Sequence, residues 1–145
     1  NKALAGAWLN PETQGQGFFI DVYESINFMF AAWFTFDLER PTDGTALIGE
    51  PGHRWMTAFG NYSGNSADLE IEWTEGGVFD SSEPPVTQDV DGSMTIEFSG
   101  CTSGTVDYDL GSTGVVGQVP IQTVPGVPAD LCESLTKKPG EPGLL

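Results

Sequence analysis

The stretch DLEIEWT at residues 68–74 decides the fold class, because apolar and polar side chains alternate along it without a break. In an extended chain Leu69, Ile71 and Trp73 lie on one side and the residues between them on the other. The same alternation recurs at residues 93–99, and no segment shows the 3.6-residue stripe of an amphipathic helix. The pattern predicts an all-β protein.

Six further segments have the length and composition of strands, and turn residues such as Gly, Asn, Asp, Ser and Pro separate them. The predicted strands are residues 6–9, 17–24, 27–36, 54–60, 68–74, 93–99, 105–110 and 118–124, with a short ninth at 78–80. Short strands joined by short turns predict an antiparallel up-and-down meander of about eight strands. Such a meander hides its edges by closing into a β-barrel, and a β-sandwich is the alternative.

The segment 27–36 differs from the other predicted strands because both of its faces are apolar. One face then packs on the core, and a loop, a terminus or a partner covers the other. A chain of 145 residues suits one domain, which we place at residues 5–132. Residues 42–52, 81–90 and 124–131 are predicted loops, and 133–145 a flexible C-terminal tail.

Charge restricts the partners of the chain. With 21 acidic and 5 basic residues the net charge is -16, which repels nucleic acid and anionic membranes. The longest apolar run, residues 28–34, is far too short to insert into a membrane as a helix. We therefore expect neither nucleic-acid binding nor membrane insertion.

Catalytic chemistry has few candidates in this sequence. His53 is the one imidazole, and no nucleophile motif accompanies it, so we predict no catalytic triad. A glycosidase needs only two carboxyl groups, but the pairs Glu70 with Glu72 and Asp107 with Asp109 alternate along strands and are predicted to face solvent. We expect no catalytic residues.

A metal ion is not required by the sequence either. Calcium is the one ion left open, because Asp89-Val90-Asp91-Gly92-Ser93 resembles the start of an acidic calcium loop. The later acidic ligand is missing at the needed spacing, and a hairpin turn at Asp91-Gly92 is the favoured interpretation. We predict no cofactor and no metal ligands.

Aromatic residues give the sequence its best ligand-binding candidates. Trp33 and Trp55 stand beside polar groups, and a flat ring with polar neighbours can stack on a sugar while the neighbours bond its hydroxyls. The candidate ligand-binding residues are Trp33, Trp55, Arg54, Asp37, Thr57 and His53. The competing interpretation is that the rings fill the barrel, and that Arg54 forms an ion pair with Asp21 or Asp37.

The two cysteines, Cys101 and Cys132, predict one disulfide if the chain is extracellular, and two buried thiols if it is cytosolic. The disulfide would hold the Pro-bearing segment 124–128 over an end of the barrel. It would stabilise the fold by about 3 to 4 kcal/mol.

An ordered series of short motifs resembles a domain family of secreted and surface proteins of proteobacteria, to which no activity is assigned. The motifs are GAWLNP at 6–11, GQGF at 15–18, AWFTFD at 32–37, RWMT at 54–57, GNSA at 64–67, GGVFD at 76–80, MTIEFSGC at 94–101, GQVPI at 117–121, and Cys132. The resemblance implies an all-β fold, secretion or display on a bacterial surface, and a disulfide between Cys101 and Cys132.

These features together predict a non-catalytic extracellular binding or surface-display module whose partner is a glycan or a protein. One alternative is a structural subunit of a surface fibre or repeat array, in which the second apolar face of 27–36 packs on a neighbouring copy. A carboxylate-based glycan hydrolase is the second alternative.

Overall fold

The computed structural model describes residues 2–39, 42 and 53–136, and of His53 and Arg54 the backbone only. Eight strands carry the fold: β1 (Gly6–Leu9), β2 (Gly17–Tyr23), β3 (Phe28–Phe36), β4 (His53–Ser63), β5 (Ser66–Glu75), β6 (Thr87–Phe98), β7 (Ser103–Asp109) and β8 (Val116–Thr123). One α-helix, α1 (Asp130–Thr136), follows them, and three 3₁₀ turns lie at Lys2–Leu4, Glu24–Ile26 and Gly111–Thr113. The eight strands predicted from the sequence are all present.

The strands form a closed barrel in chain order, each antiparallel to the next. Pairing of β1 with β8, at Trp8 with Thr123 and Leu9 with Gln122, closes the sheet. Closure gives each of the eight described strands two paired neighbours, which removes the open edges at which sheets can pair with other chains. The predicted barrel is confirmed, and the sandwich alternative does not form.

The core lies inside the barrel and follows the alternation that the sequence shows. Along β5 the side chains of Leu69 and Ile71 are buried, while those of Asp68 and Glu70 are exposed. Val106 on β7 and Ile96 on β6 are fully buried in the same interior. A strand places successive side chains on opposite sides of the sheet, so the period-2 pattern selects which residues fill the barrel.

One end of the barrel is closed by the N-terminal 3₁₀ turn, Lys2–Leu4, and by α1. Leu4, in the N-terminal 3₁₀ turn, is buried there, and its carbonyl accepts a 2.9 Å bond from the indole nitrogen of Trp8. α1 contacts this turn and is tied to the β6–β7 connection by the Cys101–Cys132 disulfide. The gap that remains between this turn and the barrel interior is only about 10 Å³. We call this the closed end.

At the opposite end, which we call the open end, β3 finishes and three connections turn back: β1–β2, β5–β6 and β7–β8. No helix in the described part of the chain is long and apolar enough to cross a bilayer.

Three local predictions differ from the structure. β6 begins at Thr87, so the predicted loop 81–90 is partly strand, and Asp91-Gly92 forms an irregularity inside β6 where the sequence favoured a hairpin turn. The predicted short strand at 78–80 is a single bridge between Val78 and Ser81. Residues 130–136, predicted as loop and tail, are α1. The predicted loop residues 43–52 and tail residues 137–145 lie outside the described part of the chain.

Candidate ligand-binding site

The open end of the barrel contains a cavity of about 870 Å³. Pockets that hold small ligands are commonly 300–1,000 Å³, and eight-stranded barrels have room for one such molecule. The wall comes from strands that are distant in sequence: the C-terminal ends of β3, β5 and β7 and the N-terminal ends of β4 and β8. In an up-and-down barrel these strand ends all meet at one end.

The floor of the cavity is apolar and rigidly packed. Trp33 of β3 is 94% buried; its ring stacks on Phe18 with centroids 5.2 Å apart and meets Tyr108 at 5.1 Å in a tilted arrangement. Met56, opposite Trp33 on β4, is also buried and completes the floor. A floor of this kind offers ring edges and apolar surface to a ligand.

Tyr108 reaches this position because the residue paired with it on the neighbouring strand is a glycine. Tyr108 pairs with Gly117 of β8, and a Cβ at residue 117 would lie 2.5 Å from the phenol oxygen. The absence of a side chain on Gly117 therefore lets the Tyr108 ring lie against β8. Tyr108 is half-buried and forms one side of the cavity.

Polar groups surround the mouth on the side of the β1–β2 connection. Asn10 is mostly buried there, and its side-chain oxygen accepts a 2.9 Å bond from the backbone of Glu12, which fixes the turn. The Thr35 hydroxyl donates a 2.5 Å bond to the Gln16 side-chain oxygen. That bond orients the Gln16 amide at the cavity wall, and its NH₂ group is a donor that a ligand can use.

A second side of the mouth is held by Asp91. Its carbonyl accepts a 2.7 Å bond from the indole nitrogen of Trp73, which lines the cavity from β5. Its carboxylate accepts the backbone N–H of Ser112 at 3.0 and 3.1 Å and also a short bond from the Ser112 hydroxyl. Asp91 thus joins β6 to the β7–β8 connection, which places Thr113 and Val115 on the cavity.

The charged groups of the described lining are all acidic: Asp37, Glu39 and Glu75. The net charge of -16 also disfavours the approach of an anionic ligand. No described group of three or more His, Cys, Asp or Glu residues is arranged to hold a metal ion. Asp89 and Asp91, which raised the question of calcium, both belong to β6.

The structure separates the residues that the sequence grouped into one site. Trp33 and Asp37 line the cavity, whereas Trp55 is 53% exposed on the outer wall, and Thr57 has the same outward parity on β4. The reason is register: Trp33 pairs with Met56, so its neighbour Trp55 points the opposite way. His53 and Arg54 pair with Phe36 and Thr35 through their backbones, and their side chains lie outside the described part of the chain.

Most of the cavity lining was not among the predicted site residues, including Trp73, Tyr108, Gln16 and Asn10. A signal for the first two was present in the sequence. Each continues the inward alternation of its strand to the C-terminal end, and in a meander the C-terminal ends of odd-numbered strands share one end of the barrel. Gln16 and Asn10 lie in a turn, where alternation gives no direction.

Comparison of the chain with protein-family models, with curated proteins and with solved structures finds no match. The resemblance to a secreted family therefore remains a prediction from the motifs. The function is argued from the geometry of the cavity.

Proposed function

We propose that the protein is a non-catalytic extracellular binding module whose open-end cavity takes a terminal sugar residue of an uncharged glycan. The observation that carries this proposal is the cavity itself, with an apolar aromatic floor and hydrogen-bonding groups around its mouth. A sugar ring has the matching chemistry, because its C–H face packs on aromatic rings and its hydroxyls both donate and accept.

The closed end supports an end-on mode of binding. The gap there measures about 10 Å³ against about 870 Å³ at the open end, so a ligand that enters the barrel does not pass through it. A long polysaccharide can therefore present only its terminus to the floor. The net charge of -16 favours an uncharged sugar over a uronic or sialic acid.

An oxidising compartment suits this chain, because its disulfide holds the helix that closes the barrel. Disulfides of this structural kind persist outside the cytosol. Secretion or display on a bacterial surface is consistent with that chemistry and with the family resemblance, and it would bring the domain into contact with glycans.

Calorimetric titration with the best uncharged oligosaccharide from a glycan array tests the proposal, using two variants. Gly117→Ala adds a Cβ where the Tyr108 phenol lies, so the ring is expected to move into the cavity and weaken binding at least about tenfold. Trp55→Ala removes a ring from the outer wall and should leave the affinity unchanged. Circular dichroism confirms that both variants fold.

Two results would overturn the proposal. One is the absence of binding to every uncharged glycan on the array. The other is the reverse pattern, in which Trp55→Ala removes binding and Gly117→Ala does not. Release of new reducing ends from the bound oligosaccharide would show a hydrolase and contradict the non-catalytic part of the proposal.

A further inference from the structure

The outer wall of β2, β3 and β4 carries an unusual number of exposed aromatic side chains. We call it the aromatic face; its exposed members are Phe19, Tyr23, Phe34 and Trp55, between 44% and 58% accessible. At about 200 Å² for each side chain, these four expose roughly 400 Å². A patch of that size is comparable to the largest apolar patch of a typical monomeric protein, and such patches commonly mark interaction sites.

The rings of the aromatic face do not form a flat platform. Phe19 and Phe34 meet edge to face, with centroids 5.6 Å apart and planes at 84°. Tyr23 and Phe28 are tilted by 57° at 6.0 Å. Stacking on the flat face of a polysaccharide needs coplanar rings, whereas a surface with ridges accepts the side chains of a polypeptide.

An acidic strip borders the aromatic face on β5. Its residues are Asp68, Glu70 and Glu72, and they pair with Asn61, Phe59 and Thr57 on β4. A groove of about 540 Å³ runs between the two strands, with Phe59 on one side and Asp68 and Glu70 on the other. Aromatic and acidic groups therefore belong to one continuous surface.

The contacts of the acidic strip come from uncharged donors. The Thr57 hydroxyl lies 3.2 Å from Glu72, the Gln88 amide 3.4 Å from Glu72, and the Thr95 hydroxyl 2.8 Å from Asp68. Among the described contacts of these carboxylates there is no cation. Their charge is available to a partner that brings lysine or arginine.

We propose that the aromatic face and the acidic strip together dock a polypeptide segment that presents apolar side chains beside lysine or arginine. Charge complementarity favours this partner over a second copy of the chain. A second copy has a net charge of -16 and only five lysines and arginines in 145 residues, so the acidic strip would repel it.

The probe is a fluorescein-labelled amphipathic helical peptide with a Leu and Phe stripe flanked on one side by arginines, measured by fluorescence anisotropy. Its partner peptide has glutamate in place of every arginine. We expect the arginine peptide to bind and the glutamate peptide to bind at least about tenfold more weakly, because only one of them complements the acidic strip.

Variants of the protein separate this surface from general attraction to an acidic protein. The double variant Phe34→Ser with Trp55→Ser should bind the arginine peptide at least about tenfold more weakly. The double variant Glu70→Gln with Glu72→Gln should also bind it more weakly, and the remaining binding should depend less on salt concentration. Phe79→Ser is the matched apolar control, since Phe79 is 92% exposed and belongs to the β5–β6 connection, which is not part of the aromatic face. Glu133→Gln on α1 is the charge control, and both controls should leave binding unchanged.

Equal binding of the two peptides, or equal loss in the control and surface variants, would overturn the proposal. Sedimentation of the protein alone is the second measurement. If the protein forms a dimer and the double variant Phe34→Ser with Trp55→Ser is monomeric, the aromatic face binds a second copy of the chain instead. Gly117→Ala leaves the outer wall intact, so failure of the cavity proposal would not affect the peptide result.

Discussion

At the scale of single residues, Asp21 and Tyr23 form an outward-facing pair on β2 whose effect can be measured directly. The Asp21 carboxylate raises the pKa of the Tyr23 phenol above its ordinary value of 10.0, chiefly by accepting its hydrogen bond and also by its charge. We expect Asp21→Asn to lower the pKa of Tyr23 toward the ordinary value, because the amide lacks the charge. Ultraviolet titration of tyrosinate, with Tyr23→Phe to identify the signal, measures the change.

The sign of the pH dependence follows from the raised pKa. The folded protein holds the Tyr23 proton to higher pH than the unfolded chain, so the bond stabilises the fold below the ordinary tyrosine pKa. That contribution is lost as the pH rises through the raised value. An unchanged titration in Asp21→Asn would mean that the hydrogen bond does not form in solution.

Trp33 and Trp55 show what the sequence could and could not say about single side chains. Both residues lie in predicted strands. Because β3 is apolar on both faces, the sequence alone does not show which set of alternating residues faces inward. The pairing of Trp33 with Met56 resolves the question, since it requires Trp55 to face solvent. Of the four candidate residues whose side chains are described, Trp33 and Asp37 reach the cavity, and Trp55 and Thr57 do not.

At the scale of elements, the junction between β6 and the β7–β8 connection depends on one carboxylate. Asp91 accepts bonds from the backbone and the hydroxyl of Ser112. Asp91→Ala removes these bonds and should lower the free energy of unfolding by about 1 to 2 kcal/mol. Urea denaturation measures the loss. The bond from Trp73 should persist, because it reaches the carbonyl of residue 91.

Asp89 provides the control for this prediction. It lies two residues earlier in β6 and, like Asp91, borders the small cleft beside the main cavity. Asp89→Ala should change the stability by less than about 0.5 kcal/mol, as expected of a surface substitution without such bonds. Equal losses in the two variants would show that the general charge of β6 matters, and that the Asp91–Ser112 bonds do not.

Two elements, the first half of β6 and α1, could not be predicted from local sequence patterns. The first half of β6 is polar except for Val90, which is 54% exposed, and it is a strand because Glu72, Trp73 and Thr74 of β5 supply its pairing partners. α1 buries one residue, Cys132, so no helical stripe exists to be detected. Both elements form through tertiary contacts that override weak local preference.

At the scale of the whole molecule, the barrel interior is filled at the closed end and contains a cavity at the open end. The alternation of its strands predicted the barrel and its core. The cavity at the open end was not predictable as a whole, because alternation directs Trp73 and Tyr108 inward but gives no direction to Asn10, which lies in a turn. Periodicity gives the face of each strand, but the depth at which the core stops being filled depends on the volumes of all eight strands together.

The disulfide is expected to stabilise the whole barrel while leaving the cavity untouched. Cys101 and Cys132 are separated by 31 residues and join the β6–β7 connection to α1 at the closed end. Reduction frees a loop whose closure stabilises the fold by about 3 to 4 kcal/mol, which should lower the Tm by about 10 °C. Scanning calorimetry with and without reductant measures the shift.

The distance between the two ends of the barrel makes this prediction specific. Well below the lowered Tm, the reduced protein should bind its ligand with unchanged affinity, because the groups that line the cavity lie at the opposite end from the disulfide. A Cys101→Ser with Cys132→Ser variant should show the same lowered Tm and the same affinity without any reductant. Mass spectrometry of the unreduced protein decides the premise, since two free thiols would remove both the expected shift and the argument for an oxidising compartment.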